Sequence, residues 1–190
     1  MMEMVLHKEI PLSKEMCRYC GITVFVILTI VGAFIRIPLP FTPVPVTLQT
    51  FFVLLSGAVL GGMRGAGSQG MYMLLGLAGI PLFTGTGSGL AYVCGPTGGY
   101  LTGFIAASVC TGRLMNNSKQ SFVSALGVFI VADMLLFLCG LVWLKVLYGY
   151  SFTGLVSVGL LPFIPGEIVK ITAAVVLYEK IKTRAKEIFA

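Results

Sequence analysis

Residues 121–147 read SFVSALGVFIVADMLLFLCGLVWLKVL, and this stretch decides the class of fold. Only Asp133 and Lys145 carry a charge within it. About 20 predominantly apolar residues are enough for a helix to cross the hydrocarbon core of a bilayer. The stretch therefore predicts a transmembrane helix.

The remainder of the chain has the same apolar character. Of 190 residues, 57% are hydrophobic and 11% are charged, whereas soluble domains carry about 25% charged residues. The net charge of +6 does not indicate nucleic acid as a partner, because the basic residues stand in small groups between apolar runs, as orientation signals do. We therefore predict one multi-pass membrane domain over residues 1–190, with no fused ATPase and no extracellular binding domain.

Charges, prolines and glycine clusters divide the chain into an all-α bundle of six predicted transmembrane helices. A short segment, residues 1–17, precedes the first helix, and Ser13 is a candidate helix cap there. The first helix is too long for the apolar region of a signal peptide and no cleavage pattern follows it, so we expect it to be retained. The predicted helices are Arg18–Ile35, Thr47–Met63, Arg64–Gly79, Cys94–Gly112, Ser121–Leu147 and Pro162–Lys180.

The distribution of basic residues predicts the orientation. With the amino terminus in the cytoplasm, ten Lys and Arg residues fall on the cytoplasmic side and only Arg36 and Lys145 on the other, in accordance with the positive-inside rule. Both termini and segment 1–17 are therefore expected in the cytoplasm. The ten residues are Lys8, Lys14, Arg18, Arg64, Arg113, Lys119, Lys180, Lys182, Arg184 and Lys186.

The three predicted outer loops are rich in proline or glycine. The first, residues 36–47, holds four prolines, and proline restricts both its own backbone and that of the preceding residue. The second includes GTGSG at 85–89 and GPTGGY at 95–100, and the third ends in LPFIPG at 161–166. Stiff or glycine-permissive loops on one face predict a pocket that opens outward beneath a lid. The predicted lid residues are Phe41, Pro43, Val44 and Pro45.

Three ionisable residues fall within the predicted helices, where charge is costly and marks function by default. Glu167 and Lys170 share a helix face near the outer surface and are candidate ligand contacts, or Glu167 complements a helix amino terminus while Lys170 neutralises it. Asp133 could pair with Lys170 or face a polar gap in the bundle. Gln49 and Tyr92, near the outer mouth, are weaker candidates for contacting a small heterocycle.

Motifs for catalysis and nucleotide binding are absent from the sequence, which contains no GxxxxGK[ST], HExxH or GxSxG. The CRYC stretch at 17–20 has no second Cys pair, and His7 is the only histidine. Neither a four-ligand zinc site nor a disulfide framework is therefore expected. We predict no catalytic residue, no metal and no cofactor.

Several motifs in order resemble those of the BioY family, the biotin-binding S components of energy-coupling-factor (ECF) transporters. The resemblance runs from the first helix to Lys170. It rests on IPLPFTPVPVTLQT at 37–50, GLAGIPLF at 76–83, GPTGGY at 95–100 and LPFIPGE at 161–167. It implies a six-helix S component in the cell membrane that captures biotin for uptake and uses no ATP itself.

The resemblance also implies site residues and partners. In the family the first outer loop acts as a lid, and the acid and lysine after Pro-Gly contact biotin; these map onto Glu167, longer than the usual Asp, and Lys170. The implied partners are a transmembrane coupling subunit and two cytosolic ATPases, besides the lipid bilayer. S components dock through AxxxA on the first helix, but this helix offers only Gly21, Gly32 and Ala33, so the docking surface is not assigned.

Other functions are compatible with parts of this pattern. The same architecture could bind another small vitamin or heterocycle. An intramembrane enzyme could use Asp133 and Glu167, but the sequence supplies no second catalytic group at the depth of Asp133. A passive channel would need polar stripes along several helices, and these are absent from the sequence.

Overall fold

The structure, a computed structural model, describes residues 14–116 and 121–189. Within these residues the chain forms eight helices and one short hairpin. The hairpin pairs β1 (Arg36–Ile37) and β2 (Val46–Thr47) antiparallel. The helices are α1 (Lys14–Phe34), α2 (Gln49–Leu60), α3 (Gly62–Leu77), α4 (Gly89–Val93), α5 (Gly98–Leu114), α6 (Phe122–Tyr148), α7 (Phe152–Gly159) and α8 (Ile164–Phe189).

Each of the six predicted helices has a counterpart, but four begin later than predicted: α6 by one residue, α2 and α8 by two, and α5 by four. α2 begins at Gln49 rather than Thr47, because residues 46–47 form β2. α5 begins at Gly98 rather than Cys94, because the preceding residues form the separate helix α4. The short helices α4 and α7 lie in segments that the sequence analysis treated as loops.

The carboxyl-terminal helix is longer than predicted, since α8 continues past Lys180 to Phe189. The apolar pattern ended at Lys180, but the helix continues as a charged segment. The predicted cap Ser13 and the basic residues Lys8 and Lys119 lie outside the described residues.

Two helices in the described part of the chain are long and apolar enough to cross a bilayer: Glu15–Phe34, with a mean hydropathy of 1.9, and Phe122–Tyr148, with 2.5. α7 and α8 meet at a bend of 55° and together would make a third span. α2, α3 and α5 have 12, 16 and 17 residues. At 1.5 Å per residue they are about 18 to 26 Å long, shorter than a hydrocarbon core of about 30 Å. The arrangement of six crossings stays a prediction.

α2, α3 and α5 approach one another closely near the middle of the bundle. A methyl group on Gly57 would lie 2.3 Å from the Ser108 carbonyl oxygen, and one on Gly65 would lie 2.8 Å from Gly57 Cα. Glycine permits this approach because it has no side chain. Five buried, uncharged polar residues surround the contact, and we call them the closed cluster: Thr29, Ser56, Ser68, Gln69 and Ser108.

The side chains of the closed cluster bond to one another across four helices. Ser56 Oγ lies 2.6 Å from Ser108 Oγ, and Gln69 Nε2 donates to Ser56 Oγ at 3.2 Å. The Thr29 hydroxyl lies 3.3 Å from the Gln69 amide oxygen and donates to it. These bonds tie α1, α2, α3 and α5 together, so the polarity is satisfied inside the protein.

The two ends of the bundle differ in charge. At the end where Gly61, with φ of 83°, links α2 to α3, four basic residues line a groove of about 480 Å³. They are Arg64, Arg113, Lys182 and Lys186. The opposite end carries the hairpin and α4, beside the starts of α2, α5 and α8. Residues of the hairpin and of the first turns of α2, α5 and α8 line a common cavity at this end.

Candidate functional site

Glu167 and Lys170 lie side by side at the start of α8, with only 6% and 8% of their surface exposed. Lys170 Nζ donates to Glu167 Oε1 at 2.5 Å, to Thr50 Oγ1 at 2.7 Å and to the Thr47 carbonyl oxygen at 2.8 Å. These bonds use all three ammonium protons. Thr50 in turn donates to Glu167 Oε2 at 2.9 Å. The result is a buried ion pair that joins α8 to the start of α2.

The local sequence explains why the pair lies at a helix start. Pro165 stands in the first turn of α8, where its missing N–H has no intrahelical partner to lose. The Glu167 N–H donates to the Phe163 carbonyl oxygen at 2.9 Å. Glu167 is also the acidic residue of that first turn, so its charge complements the helix dipole. This role and a ligand contact are therefore compatible.

Gln49 and Tyr92 lie in the same hydrogen-bonded set. Gln49 Nε2 donates to the Tyr72 hydroxyl at 2.8 Å, and its Oε1 accepts from the hydroxyls of Thr47 and Thr84, both at 3.3 Å. The Tyr92 hydroxyl donates to the Thr84 carbonyl oxygen at 3.2 Å. We call the connected set the cavity cluster; its members are Thr47, Gln49, Thr50, Tyr72, Thr84, Tyr92, Glu167 and Lys170.

The cavity cluster lines a cavity with a free volume of about 40 Å³. Four of the eight remaining lining residues are aromatic. The Tyr100 and Phe137 rings lie edge to face, with centroids 5.8 Å apart, and the Tyr100 hydroxyl donates to the Gly159 carbonyl oxygen at 2.9 Å. Rigid rings beside a few placed polar groups are typical of small-molecule sites. The other aromatic residues of this lining are Phe104 and Phe163, and Leu101 adds an aliphatic side chain.

The predicted lid residues divide into two pairs. Val44, only 5% exposed, lines the cavity together with Pro45. Phe41, 61% exposed, and Pro43 do not line it. The Val44 N–H donates to the Thr42 hydroxyl at 3.3 Å, which folds the loop locally before Val44. Only half of the predicted lid therefore touches the cavity directly.

Sequence reasoning missed much of this lining. Thr84 is a single threonine outside the quoted motifs, and Thr50 ends the motif at 37–50 without a feature that marks it as part of a site. Phe104 and Phe137 belong to apolar helices, in which an aromatic residue facing the cavity has the same pattern as one facing lipid. Thr97, Tyr100 and Phe163 are exceptions, because they belong to the GPTGGY and LPFIPG motifs and could have been named from them.

Asp133 is 6% exposed on α6. It forms no ion pair with Lys170, because the three protons of Lys170 bond elsewhere and the ion pair of Lys170 is with Glu167. The Oδ1 atom of Asp133 is buried and has no hydrogen-bond partner. Across residues 14–116 and 121–189, no group of three or more His, Cys, Asp or Glu side chains is placed to hold a metal ion.

The chain resembles named transport proteins over most of its length. The probable biotin transporter BioY of Pyrococcus horikoshii is 38% identical over 161 residues, which cover 85% of this chain and 93% of that protein. The biotin transporter BioY of Thermotoga maritima is 37% identical over 159 residues, covering 84% and 92%.

The fold is also that of a solved protein. The crystal structure of the S-component for biotin from an ECF-type ABC transporter matches with a TM-score of 0.82 and 26% identity, covering 90% of this chain and 93% of that chain. The all-helical fold is therefore of the ECF S-component type. Since the sequence model of the BioY family matches residues 8–187, the chain belongs to the BioY family.

Proposed function

We propose that this chain captures biotin and is the substrate-binding subunit of an ECF-type transporter in the plasma membrane. The observation that carries the proposal is the buried Glu167–Lys170 pair beside an aromatic-lined cavity. The relatives are named as transporters, so transport, not catalysis, is the class of function. The enzyme alternative based on Asp133 and Glu167 is set aside on that ground.

The chemistry of biotin fits the cavity cluster. Its fused ureido and thioether rings are flat and compact, and its valerate tail is anionic. The carboxylate of Glu167 can accept hydrogen bonds from the ureido N–H groups, and Lys170 can donate to the ureido oxygen when it exchanges one of its three bonds to the protein for the ligand. The rings of Tyr100 and Phe137 offer a flat apolar surface against which the bicyclic ring system of biotin can pack. Glu167 would repel the valerate, so the tail points away from the ion pair.

Binding requires the lid to move. Pockets that hold small ligands generally enclose about 300 to 1,000 Å³, whereas this cavity has about 40 Å³ free. Val44 and Pro45 occupy one side of it and belong to the hairpin loop rather than to a helix. We propose that this loop opens outward to admit biotin and closes over it.

The proposed topology has six crossings and both termini in the cytoplasm. The four basic residues of the groove support it, because they gather at the end of the bundle that lies opposite the site. A cysteine-labelling experiment tests it with single cysteines introduced into a cysteine-free parent. Reagent applied from outside should modify positions in loop 37–46 and spare positions 113–119. Labelling at 113–119 from outside would contradict the topology.

The proposed partners are a transmembrane coupling subunit and two cytosolic ATPases. The small residues of α1 do not supply an obvious docking face. A methyl group on Gly21 would lie 2.6 Å from the Phe189 ring, and one on Gly32 would lie 3.0 Å from the Gln49 backbone. Ala33 is fully buried. These residues pack against the chain's own helices, so we propose that docking uses another surface.

Isothermal titration of the detergent-purified chain tests the ligand. Biotin should bind most tightly, and desthiobiotin, which keeps the ureido group but lacks the thioether ring, should bind more weakly. Thiamine and riboflavin lack the cyclic urea–valerate combination and should not compete. Tighter binding of either vitamin would show that this S component serves another ligand and would overturn the proposal.

A further inference from the structure

Arg36 lies beside the cavity cluster because the two strands of the hairpin pair with each other. Arg36 is opposite Thr47 in the register of β1 and β2, and directly opposed residues of an antiparallel pair project from the same face, with Cβ atoms about 5 Å apart. Thr47 lines the cavity, and its carbonyl oxygen accepts a hydrogen bond from Lys170. Two short strands thus hold a guanidinium group next to the site.

A second cavity connects Arg36 to the first one. It encloses about 360 Å³, and Arg36 is the charged residue of its lining. Four residues line both cavities: Pro45, Thr84, Tyr92 and Thr97. Gly85 lets the guanidinium approach this wall, because a methyl group there would lie 2.6 Å from Arg36 Nη1. Arg36 therefore faces the site from the far side of a shared wall.

In the part of the chain that the structure describes, no carboxylate forms an ion pair with Arg36. Between Glu15 and Glu179 the sequence contains only two acidic residues, Asp133 and Glu167, and both are buried in helices. Within the described residues Arg36 takes part in none of the ion pairs. Lys170, by contrast, is neutralised by Glu167 at 2.5 Å. Of these two cations near the site, only Arg36 remains for an anionic group of a ligand.

We infer that Arg36 binds the carboxylate at the end of the ligand's tail and makes the site selective for the free acid. The inference rests on the proposed function. When the bicyclic ring system of biotin lies beside Glu167 and Lys170, its valerate chain passes between Pro45 and Tyr92 in the wall that both cavities share. The chain then ends in the second cavity. A guanidinium group there forms the bidentate contact that suits a carboxylate.

The test compares biotin with biotin methyl ester, which has the same rings and chain but no charge. The parent should bind biotin at least tenfold more tightly than the ester. Arg36→Gln should lower the affinity for biotin about tenfold or more and change the affinity for the ester less than twofold. Arg36→Lys should recover part of the preference for the acid. Lys145→Gln, a charge change on α6 outside both cavities, is the matched control and should bind both ligands like the parent.

Each contrary result has a different meaning. Equal affinity of the parent for biotin and its ester overturns the inference without any variant. If Arg36→Gln lowers the affinities for biotin and for the ester equally, the inference is also overturned. Arg36 would then stabilise the hairpin and would not bind the carboxylate. A parent that binds neither biotin nor the ester overturns the proposed function itself and the inference with it.

Discussion

The molecule buries two polar clusters, one above the other along α3, and they differ in what surrounds them. Gln69 of the closed cluster and Tyr72 of the cavity cluster are three residues apart on this helix, about 4.5 Å along its axis. The closed cluster is neutral, and close glycine contacts fill the space around it. The cavity cluster contains an ion pair and borders free space.

The difference shows which buried polar groups indicate a ligand. Hydrogen bonds between helices in a membrane contribute about 0.6 to 2 kcal/mol each, and the closed cluster uses its groups in this way to hold four helices. Burying an ion pair often costs more than it returns, so stability alone does not account for Glu167 and Lys170. Buried charge beside a cavity is the feature that indicates function.

The largest effect should come from filling the glycine contact beside the closed cluster. In Gly57→Val the new Cβ would meet the Ser108 carbonyl oxygen at 2.3 Å, and neither backbone can give way without separating α2 from α5. We expect no folded, monodisperse protein by size-exclusion chromatography in detergent. Gly127→Val is the control, because nothing lies within 4 Å of a methyl group there. A Gly57→Val protein that melts like the parent would contradict the packing described.

The next largest effect should come from breaking the ion pair. Lys170→Met leaves the Glu167 carboxylate buried without its cation, which costs about 3 to 5 kcal/mol, and biotin affinity should fall about a hundredfold. The double variant Glu167→Gln/Lys170→Met removes both charges, so its melting temperature should recover while binding stays lost. Thermal melts and titration separate the two effects. A double variant that binds biotin like the parent would make the pair purely structural.

A change within the closed cluster should alter stability but not binding. Gln69→Leu removes the amide that bonds to Ser56 and Thr29, so we expect a loss of about 1 to 2 kcal/mol in the free energy of unfolding. The dissociation constant for biotin should stay within twofold. Denaturation in detergent and titration with biotin measure the two quantities. A tenfold loss of affinity at unchanged stability would mean that the two clusters are coupled.

The smallest effect should come from loosening the lid. Pro43→Gly/Pro45→Gly gives the loop more conformations to lose when it closes, at about 0.4 to 1 kcal/mol per residue, so biotin should bind about three- to tenfold more weakly and leave faster. Stopped-flow release measures the rate. Pro81→Gly, in another loop and outside both cavities, should leave it unchanged. An unaltered release rate in the double variant would reduce the loop to a connector.

The sequence predicted helices more reliably than loops. The run at 121–147 matches α6, Phe122–Tyr148, nearly residue for residue, because a long apolar stretch has few other ways to satisfy its backbone in lipid. The loop segments were treated as irregular, yet residues 89–93 form α4 and residues 152–159 form α7. These helices are short, and a short helix depends on its tertiary neighbours more than on its own sequence.

Sequence alone determined the membrane class, the stiff loop and the shared face of Glu167 and Lys170, because each follows from composition or from spacing within one element. Only the tertiary structure decided that Thr50, 117 positions before Glu167, bonds to it, and that the ion pair of Lys170 is with Glu167. It also decided that Arg36 lies beside Gly85 near the same site. Such contacts join residues far apart in the chain, and they depend on how closely glycine lets the helices pack, which no local pattern encodes.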